Sequence, residues 1–277
     1  MSDPSHPADS AWATRLAPAS GTPHAYGPHV TLHGDPWSLT LLSRLGSPDV
    51  QQPEVGRLAT RLFEYLFNRV ASAELGTTTA RVPTRMAAKH PGQAYDGVVI
   101  PRDQRVVVVD VARAGILSSQ LFYDRFNELL DPSGVRQDHM FVSRVTNDAG
   151  AVTGSAVAGA KIGGTVDGAV LVIPDPMGAT GGSLCEVLDH YLRAGFGRPS
   201  RVVFCHLIVT PEYVKNVHAR HPDVRIHAVR LDRAFSSARA LATPPGTHPT
   251  EESGLDDHQY IVPGAGGLGE VLNNSWV

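Results

Sequence analysis

The run Arg105-Val106-Val107-Val108-Val109-Asp110 sets four β-branched residues in a row between two charged ones. A strand with one wet face alternates apolar and polar residues, so an unbroken valine run has no polar face and is buried on both sides. Such strands belong to parallel sheets covered by helices, and the next residues supply a helix. Ile116 to Leu130 places Leu117, Leu121, Phe122, Phe126, Leu129 and Leu130 on one helical face, and Met140-Phe141-Val142 reads as the following strand. Gly97 to Ile100, Ala169 to Ile173, Arg201 to Val209 and Arg225 to Arg230 extend the series of strands, with helices starting near Ser183 and Pro211. Upstream, Leu58, Leu62, Phe63, Leu66, Phe67 and Val70 give Glu54 to Ala71 an amphipathic helical pattern. Strand, helix and strand in repetition predict an α/β fold with a parallel sheet. At 277 residues and 42% hydrophobic, the chain is long enough to bury one large core, so a single domain is expected.

The ends and the charge narrow the functional classes. Residues 1–28 mix Ser, Pro, Ala and His with no basic and apolar leader pattern, and read as a disordered tail ahead of one domain over 29–277. His6, His24, His29 and His33 are irregularly spaced in polar surroundings, which argues against a metal cluster. A net charge of -3 lacks the basic excess of a protein that grips nucleic acid through phosphates, so no nucleic-acid partner is expected. No run approaches the ~20 apolar residues of a membrane span. Cys185 and Cys205 sit in apolar segments without CxxC spacing, as reduced core thiols of a cytoplasmic protein do.

The chemistry is expected in Ile173 to Leu184, "IPDPMGATGGSL". Ligands of parallel α/β sheets bind outside the carboxyl ends of strands, where this loop lies. Leu184, Val187, Leu188, Tyr191 and Leu192 form one face of the helix after it, which stops at Ala194-Gly195, so Ala179, Thr180, Gly181, Gly182 and Ser183 stand at a helix N-terminus. Free N–H groups, glycines without Cβ and two hydroxyls suit a phosphate. The alternative is a capping box between Ser183 and Glu186 that needs no ligand. No Gly-Lys-Ser/Thr follows, which excludes a P-loop. Asp175, at the strand end, is placed to accept hydrogen bonds from sugar hydroxyls, and the pair of features suggests ribose 5-phosphate.

"DPMGATGGS" resembles the phosphoribosyl-pyrophosphate loop of the uracil phosphoribosyltransferases, usually DPMLATGGS, with Gly178 in place of Leu. "VARAG", Val111 to Gly115, resembles that family's PILRAG pyrophosphate loop; "HPDVRIHAVRLD", His221 to Asp232, resembles its penultimate strand region; and "YIVPGAGGLGE", Tyr260 to Glu270, resembles its YIVPGLGDAGD base-binding segment. The likeness runs from about His29 to the C-terminus and includes, weakly, "LLSRLGSPDVQQPEVGRLATRLFEYL". It implies a type I phosphoribosyltransferase fold with helices on both faces of the sheet and a small hood or arm over the base pocket. The activity implied is transfer of phosphoribose from phosphoribosyl pyrophosphate to uracil, giving UMP and pyrophosphate, in a cytoplasmic homo-oligomer, dimer or higher. Small-molecule substrates are the expected partners.

The same resemblance assigns roles. Asp175 would hold the ribose, Ala179 to Ser183 the 5-phosphate, and Ala112, Arg113, Ala114 and Gly115 the pyrophosphate, with Mg²⁺ carried by the substrate and no direct protein ligand. Arg113 offers a fork of donors to the leaving group, whose growing negative charge is the catalytic task. Tyr260, Ile261, Gly266, Gly267 and Leu268 would line the base pocket, and a lid-like loop between Ser143 and Lys161 would bring Arg144 and Lys161.

Two departures stand out: an acid thought to face the substrate and its metal has become Gly267, with Glu270 three residues later, and a long insert over 233–259 replaces a short connection and is expected near the base pocket. These leave room for two alternatives, a transferase for another heteroaromatic base and a catalytically weak nucleotide-binding sensor or subunit. "GAGGLG", Gly264 to Gly269, satisfies G-x-G-x-x-G, but too little chain follows for a dinucleotide fold. His218 and His221 read as solvated surface, and Glu251-Glu252 and Asp256-Asp257 as solubilising pairs.

Overall fold

Valine side chains of one strand enter two different cores. In the computed structural model, which describes residues 21–146 and 152–276, Val106 and Val108 pack into one hydrophobic cluster and Val107, Val109 and Val111 into another. This is the consequence of period-two alternation in a strand covered on both faces. In chain order the elements are β1 (Val30–Leu32), α1 (Pro36–Leu45), α2 (Glu54–Glu74), β2 (Thr78–Pro83), β3 (Ala94–Val99), β4 (Val106–Ala112), α3 (Ile116–Leu129), β5 (Val135–Thr146), β6 (Val152–Lys161), β7 (Val170–Pro174), β8 (Met177–Gly178), α4 (Gly182–Arg193), β9 (Arg201–Val209), α5 (Pro211–Arg220), β10 (Arg225–Leu231), α6 (Ala238–Leu241) and α7 (Leu268–Val271). The main sheet runs β1-β10-β9-β7-β4-β5-β6 with β8 beside β9. Its pairings are parallel except that of β5 with β6. Helices α1 to α3 cover the face reached by Val106 and Val108, and α4 and α5 the other. The mixed α/β fold with helices on both faces is the one the sequence predicts.

Several expectations need correction. Gly97 to Val99 does not join the main sheet: β3 pairs antiparallel with β2 in a separate two-stranded sheet. Its apolar run is short and most of its residues are half-buried or exposed, too little to fill a site covered on both faces. The expected loop between Ser143 and Lys161 is largely a hairpin of β5 and β6, with residues 147–151 and the side chain of Arg144 outside the described residues. Residues 154–160 alternate exposed and half-buried, a strand period, but the letters Gly, Ser and Ala give no hydropathy contrast to reveal it.

The tail does not extend to Pro28. Thr22 N donates to Leu32 O and Ala25 N to Pro245 O, each at 2.7 Å, and the Tyr26 hydroxyl hydrogen-bonds Glu252. Glu252 is therefore not a solubilising acid: its side chain is buried, pairs with Arg233 at 2.7 Å and accepts from Gly246 N. Arg233 also donates to Ala240 O and Thr243 O, so 233–259 folds around one buried ion pair. His221, half-buried beside Asp189, is likewise not solvated surface, and the surroundings of His33 are a buried contact with His227. Cys185 and Cys205 are buried and free. Among the described residues no helix is long and apolar enough to cross a membrane.

Candidate active site

The carboxyl ends of β4 and β7 turn into the two loops singled out in the sequence, and one serine ties them together. Ser118 Oγ, in the first turn of α3, donates to Pro174 O at 2.8 Å and lies 3.1 Å from Gly115 O. Gly115 is required there, because a Cβ would meet Val111 O at 2.9 Å and Pro174 O at 3.3 Å. The Ala112–Arg113 peptide is cis. Arg113 is exposed at the loop tip, and its Nη1 donates to Ser275 Oγ at 2.6 Å.

Asp175 is buried at the end of β7, with Oδ1 accepting from Met177 N at 3.0 Å. Burial pushes its carboxyl up to about 7; the Met177 amide opposes this and the negative charge of Asp110 adds to it. Its backbone is fixed from below. His206 Nδ1 lies 2.7 Å from Asp175 O, and Nε2 lies 2.6 Å from the Tyr213 hydroxyl. Burial pulls His206 down to about 3, so the ring is neutral, donates from Nδ1 to the carbonyl and accepts from Tyr213.

The glycines after Asp175 have separate causes. At Gly178 a Cβ would meet both the Tyr213 ring and Val209 at 2.9 Å, so the leucine of the family loop has no room here. Gly178→Leu is expected to destabilise the fold by about 1–3 kcal/mol or more, as overpacking does, read as a lowered urea midpoint; an unchanged midpoint would show that Tyr213 moves aside freely. Gly181 is the N-cap of α4 at φ 81, and no side chain caps the helix. The Ser183–Glu186 capping box does not form. Asn216 Nδ2 donates to Thr180 O at 3.0 Å and Thr210 Oγ1 to Ala179 O at 2.6 Å, which anchors the loop by its carbonyls. Uncapped N–H groups at the head of a twelve-residue helix carry partial positive charge, which favours an anion.

The C-terminal segment closes against the first loop. A Cβ on Gly269 would lie 3.2 Å from Ala114 Cβ, so the turn entering α7 rests on Ala114. Gly264 N donates to Asp232 Oδ2 at 2.8 Å, and Arg230 grips the same carboxylate, which fixes the segment to the end of β10. Ile261 and Leu268 are buried while Tyr260 is half exposed, its amide held by Asp256 Oδ1. Gly266 has φ 72, whereas Gly267, at φ -77 and ψ 79, is in a conformation open to any residue. The Glu270 carboxylate curls back over it, with Oε2 2.7 Å from where a Cβ on residue 267 would stand.

Two polar residues that the sequence reading passed over belong to this end of the sheet. Asp110 ends the valine run; its side chain is 8% exposed, and Oδ2 lies 2.9 Å from Nδ1 of His139 on β5. An acid closing a doubly buried strand just before the arginine loop is a signal in itself. His139 gave none, standing within a strand longer than its apolar letters.

A parallel sheet with an arginine loop after one central strand and an acid-plus-glycine loop after its neighbour is the framework of a type I phosphoribosyltransferase. The sequence model described as "Uracil phosphoribosyltransferase" matches residues 34–247, and the chain belongs to that family. It is 34% identical over 102 residues to a uracil phosphoribosyltransferase of Thermoanaerobacter sp. (strain X514), a match spanning 37% of this chain and 38% of that protein. It is 32% identical over 101 residues to uracil phosphoribosyltransferase 1 of Schizosaccharomyces pombe, spanning 36% of each. The fold is similar to that of the AQ2163 protein from Aquifex aeolicus, with TM-score 0.63 and 18% identity over 88% of this chain and 97% of that one.

Proposed function

We propose that this protein transfers phosphoribose from phosphoribosyl pyrophosphate to uracil, forming UMP and pyrophosphate in pyrimidine salvage. The observation that carries the reading is the placement of the buried Asp175 carboxyl and the uncapped head of α4 on one short loop. In this reading Asp175 accepts from the ribose hydroxyls while the amides and hydroxyls of Ala179 to Ser183 hold the 5-phosphate. Ala112 to Gly115 hold the pyrophosphate, Arg113 neutralising its growing charge, and Tyr260, Ile261 and Gly266 to Leu268 line the base. Lys161, exposed at the end of β6, adds positive charge at the far edge. The first loop offers amides and a guanidinium, a donor set for phosphate oxygens rather than for a cation. Mg²⁺ therefore fits as a passenger on the substrate, where it would screen the phosphate charge. The setting is a cytoplasmic homo-oligomer, in keeping with Val82, Met86 and Tyr95 exposed along the β2 and β3 region.

Thr180→Ala with Ser183→Ala is expected to weaken phosphoribosyl pyrophosphate binding by roughly 1–3 kcal/mol, the scale of lost hydrogen bonds to a charged group. Unchanged affinity by calorimetry would remove the phosphate from this loop.

Glu270 stands in for the missing acid, because its carboxylate occupies the space beside Gly267. Glu270→Gln is expected to lower turnover roughly tenfold, about 1.4 kcal/mol, and Gly267→Asp in that background to restore it. No loss in the single variant would show that the carboxylate is unused.

Binding and turnover measured across uracil, cytosine, hypoxanthine and adenine test the reading as a whole. Uracil turnover supports it, turnover of another base alone moves the assignment to that base, and tight nucleotide binding without turnover points to a sensor.

A further inference from the structure

Three adjacent strands carry an acid, an imidazole and an amine at one level of the sheet. The register sets Asp110 of β4 beside His139 of β5, and His139 beside Lys161 of β6. His139 Nδ1 lies 2.9 Å from Asp110 Oδ2. The Asp110 side chain is 8% exposed and its Oδ1 is buried without a partner among the described residues, whereas the imidazole is 48% exposed. A buried carboxylate on Nδ1 fixes the ring's tautomer and orientation and leaves Nε2 as the reactive nitrogen. The site of use is close. Ala112, where the pyrophosphate loop begins, pairs with Phe141, so His139 lies two residues below that level, about 7 Å along the strand.

We propose that His139, oriented by Asp110, carries a proton at the pyrophosphate end of the reaction. Resting on the phosphoribosyl-transfer reading above, the step is balanced within the reaction itself. The bond between the ribose anomeric carbon and the pyrophosphate oxygen breaks, its electron pair stays on that oxygen, and the oxygen takes the proton from His139 Nε2. The base nitrogen forms the new bond to the anomeric carbon and gives up its own N–H proton to solvent, which returns a proton to the imidazole. No other reactant is required.

The charged groups around the ring make the idea measurable. Asp110 on β4 and Lys161 on β6 flank the ring in register, Arg113 stands in the loop that follows β4, and the first turn of α3 contributes no acid. An arriving pyrophosphate adds negative charge at the Arg113 loop, so its binding should draw a proton onto His139.

The test is calorimetric titration of magnesium pyrophosphate into the native full-length protein, His139→Gln, His139→Asn and Asp110→Asn, without base, in buffers of different ionisation heat between about pH 7 and 8.5. Proton uptake is expected to be larger in the native protein than in either His139 variant, a comparison that cancels the ligand's own titration. With uracil, His139→Gln should lower kcat at least about tenfold and flatten the basic limb of the pH profile, with KM for phosphoribosyl pyrophosphate little changed. Asp110→Asn should shift that limb rather than abolish it. Equal proton uptake in the native protein and a folded His139 variant overturns the proposal, and so does an absence of pyrophosphate binding by the native protein. If uracil is not turned over but proton uptake still depends on His139, the function reading fails and the proton assignment stands.

Discussion

Asp175→Asn is expected to lower turnover by roughly 10- to 100-fold, because a neutral amide gives up the charged acceptor for ribose hydroxyls, worth about 1.5–3 kcal/mol. The pH dependence carries the sharper signature. Burial pushes the carboxyl up to about 7 from an ordinary value of 3.8, with the Met177 amide opposing and Asp110 adding to the rise. The raised value means that the folded protein holds this proton across the window from 3.8 to about 7, where the unfolded chain has lost it. The stabilising contribution of the protonated acid is therefore present below the unfolded value and is lost as pH rises through about 7. Activity moves the opposite way, since in the proposed role it is the ionised form that accepts the hydroxyls: turnover should rise through about pH 7 in the native protein and lose that limb in Asp175→Asn. A limb that survives the substitution would assign it to another group.

Arg113→Ala is expected to weaken pyrophosphate product inhibition by roughly 10- to 100-fold, the scale of a lost charge-assisted contact, while leaving the affinity for UMP nearly unchanged. Asp175→Asn should do the reverse to the two ligands, since the proposed roles put the acid and the arginine at opposite ends of one substrate. The geometry makes Arg113 available: Nη1 is engaged by Ser275, and the guanidinium otherwise stands exposed at the loop tip. Equal changes in pyrophosphate affinity in both variants would collapse the division of roles.

The strands and helices that matter to this site were written in the letters because their hydropathy contrast is strong. Val106 to Val109 has no polar face, and α2 and α3 repeat their leucines and phenylalanines at helical spacing, so burial left its period in the sequence. The hairpin of β5 and β6 was not legible for the opposite reason: residues 154–160 are Gly, Ser, Ala and Val, and a period-two burial among small side chains leaves little trace. Of the site, Asp175 and the glycines of its loop were readable because glycine at φ 81 and an acid at a strand end are local demands of the backbone. What Gly178 answers to was not, since the Tyr213 ring that fills its space arrives from a helix more than thirty residues on. The same holds for Glu252, whose burial depends on Arg233 and Tyr26, and for the Asp110–His139 pair, which exists only because β4 and β5 are neighbours in register. Long-range partners decide whether a charged residue is a surface ornament or a buried device, and single letters do not name their partners.

The central claim is the transfer itself, and a single-turnover experiment addresses it without assumptions about rate. Protein in excess over labelled uracil, with phosphoribosyl pyrophosphate and Mg²⁺, is quenched over time and the products are separated. The account predicts labelled UMP and pyrophosphate forming together in equal amounts. Pyrophosphate released as ribose 5-phosphate accumulates, or bound substrate that never yields UMP while uracil remains intact, would contradict it.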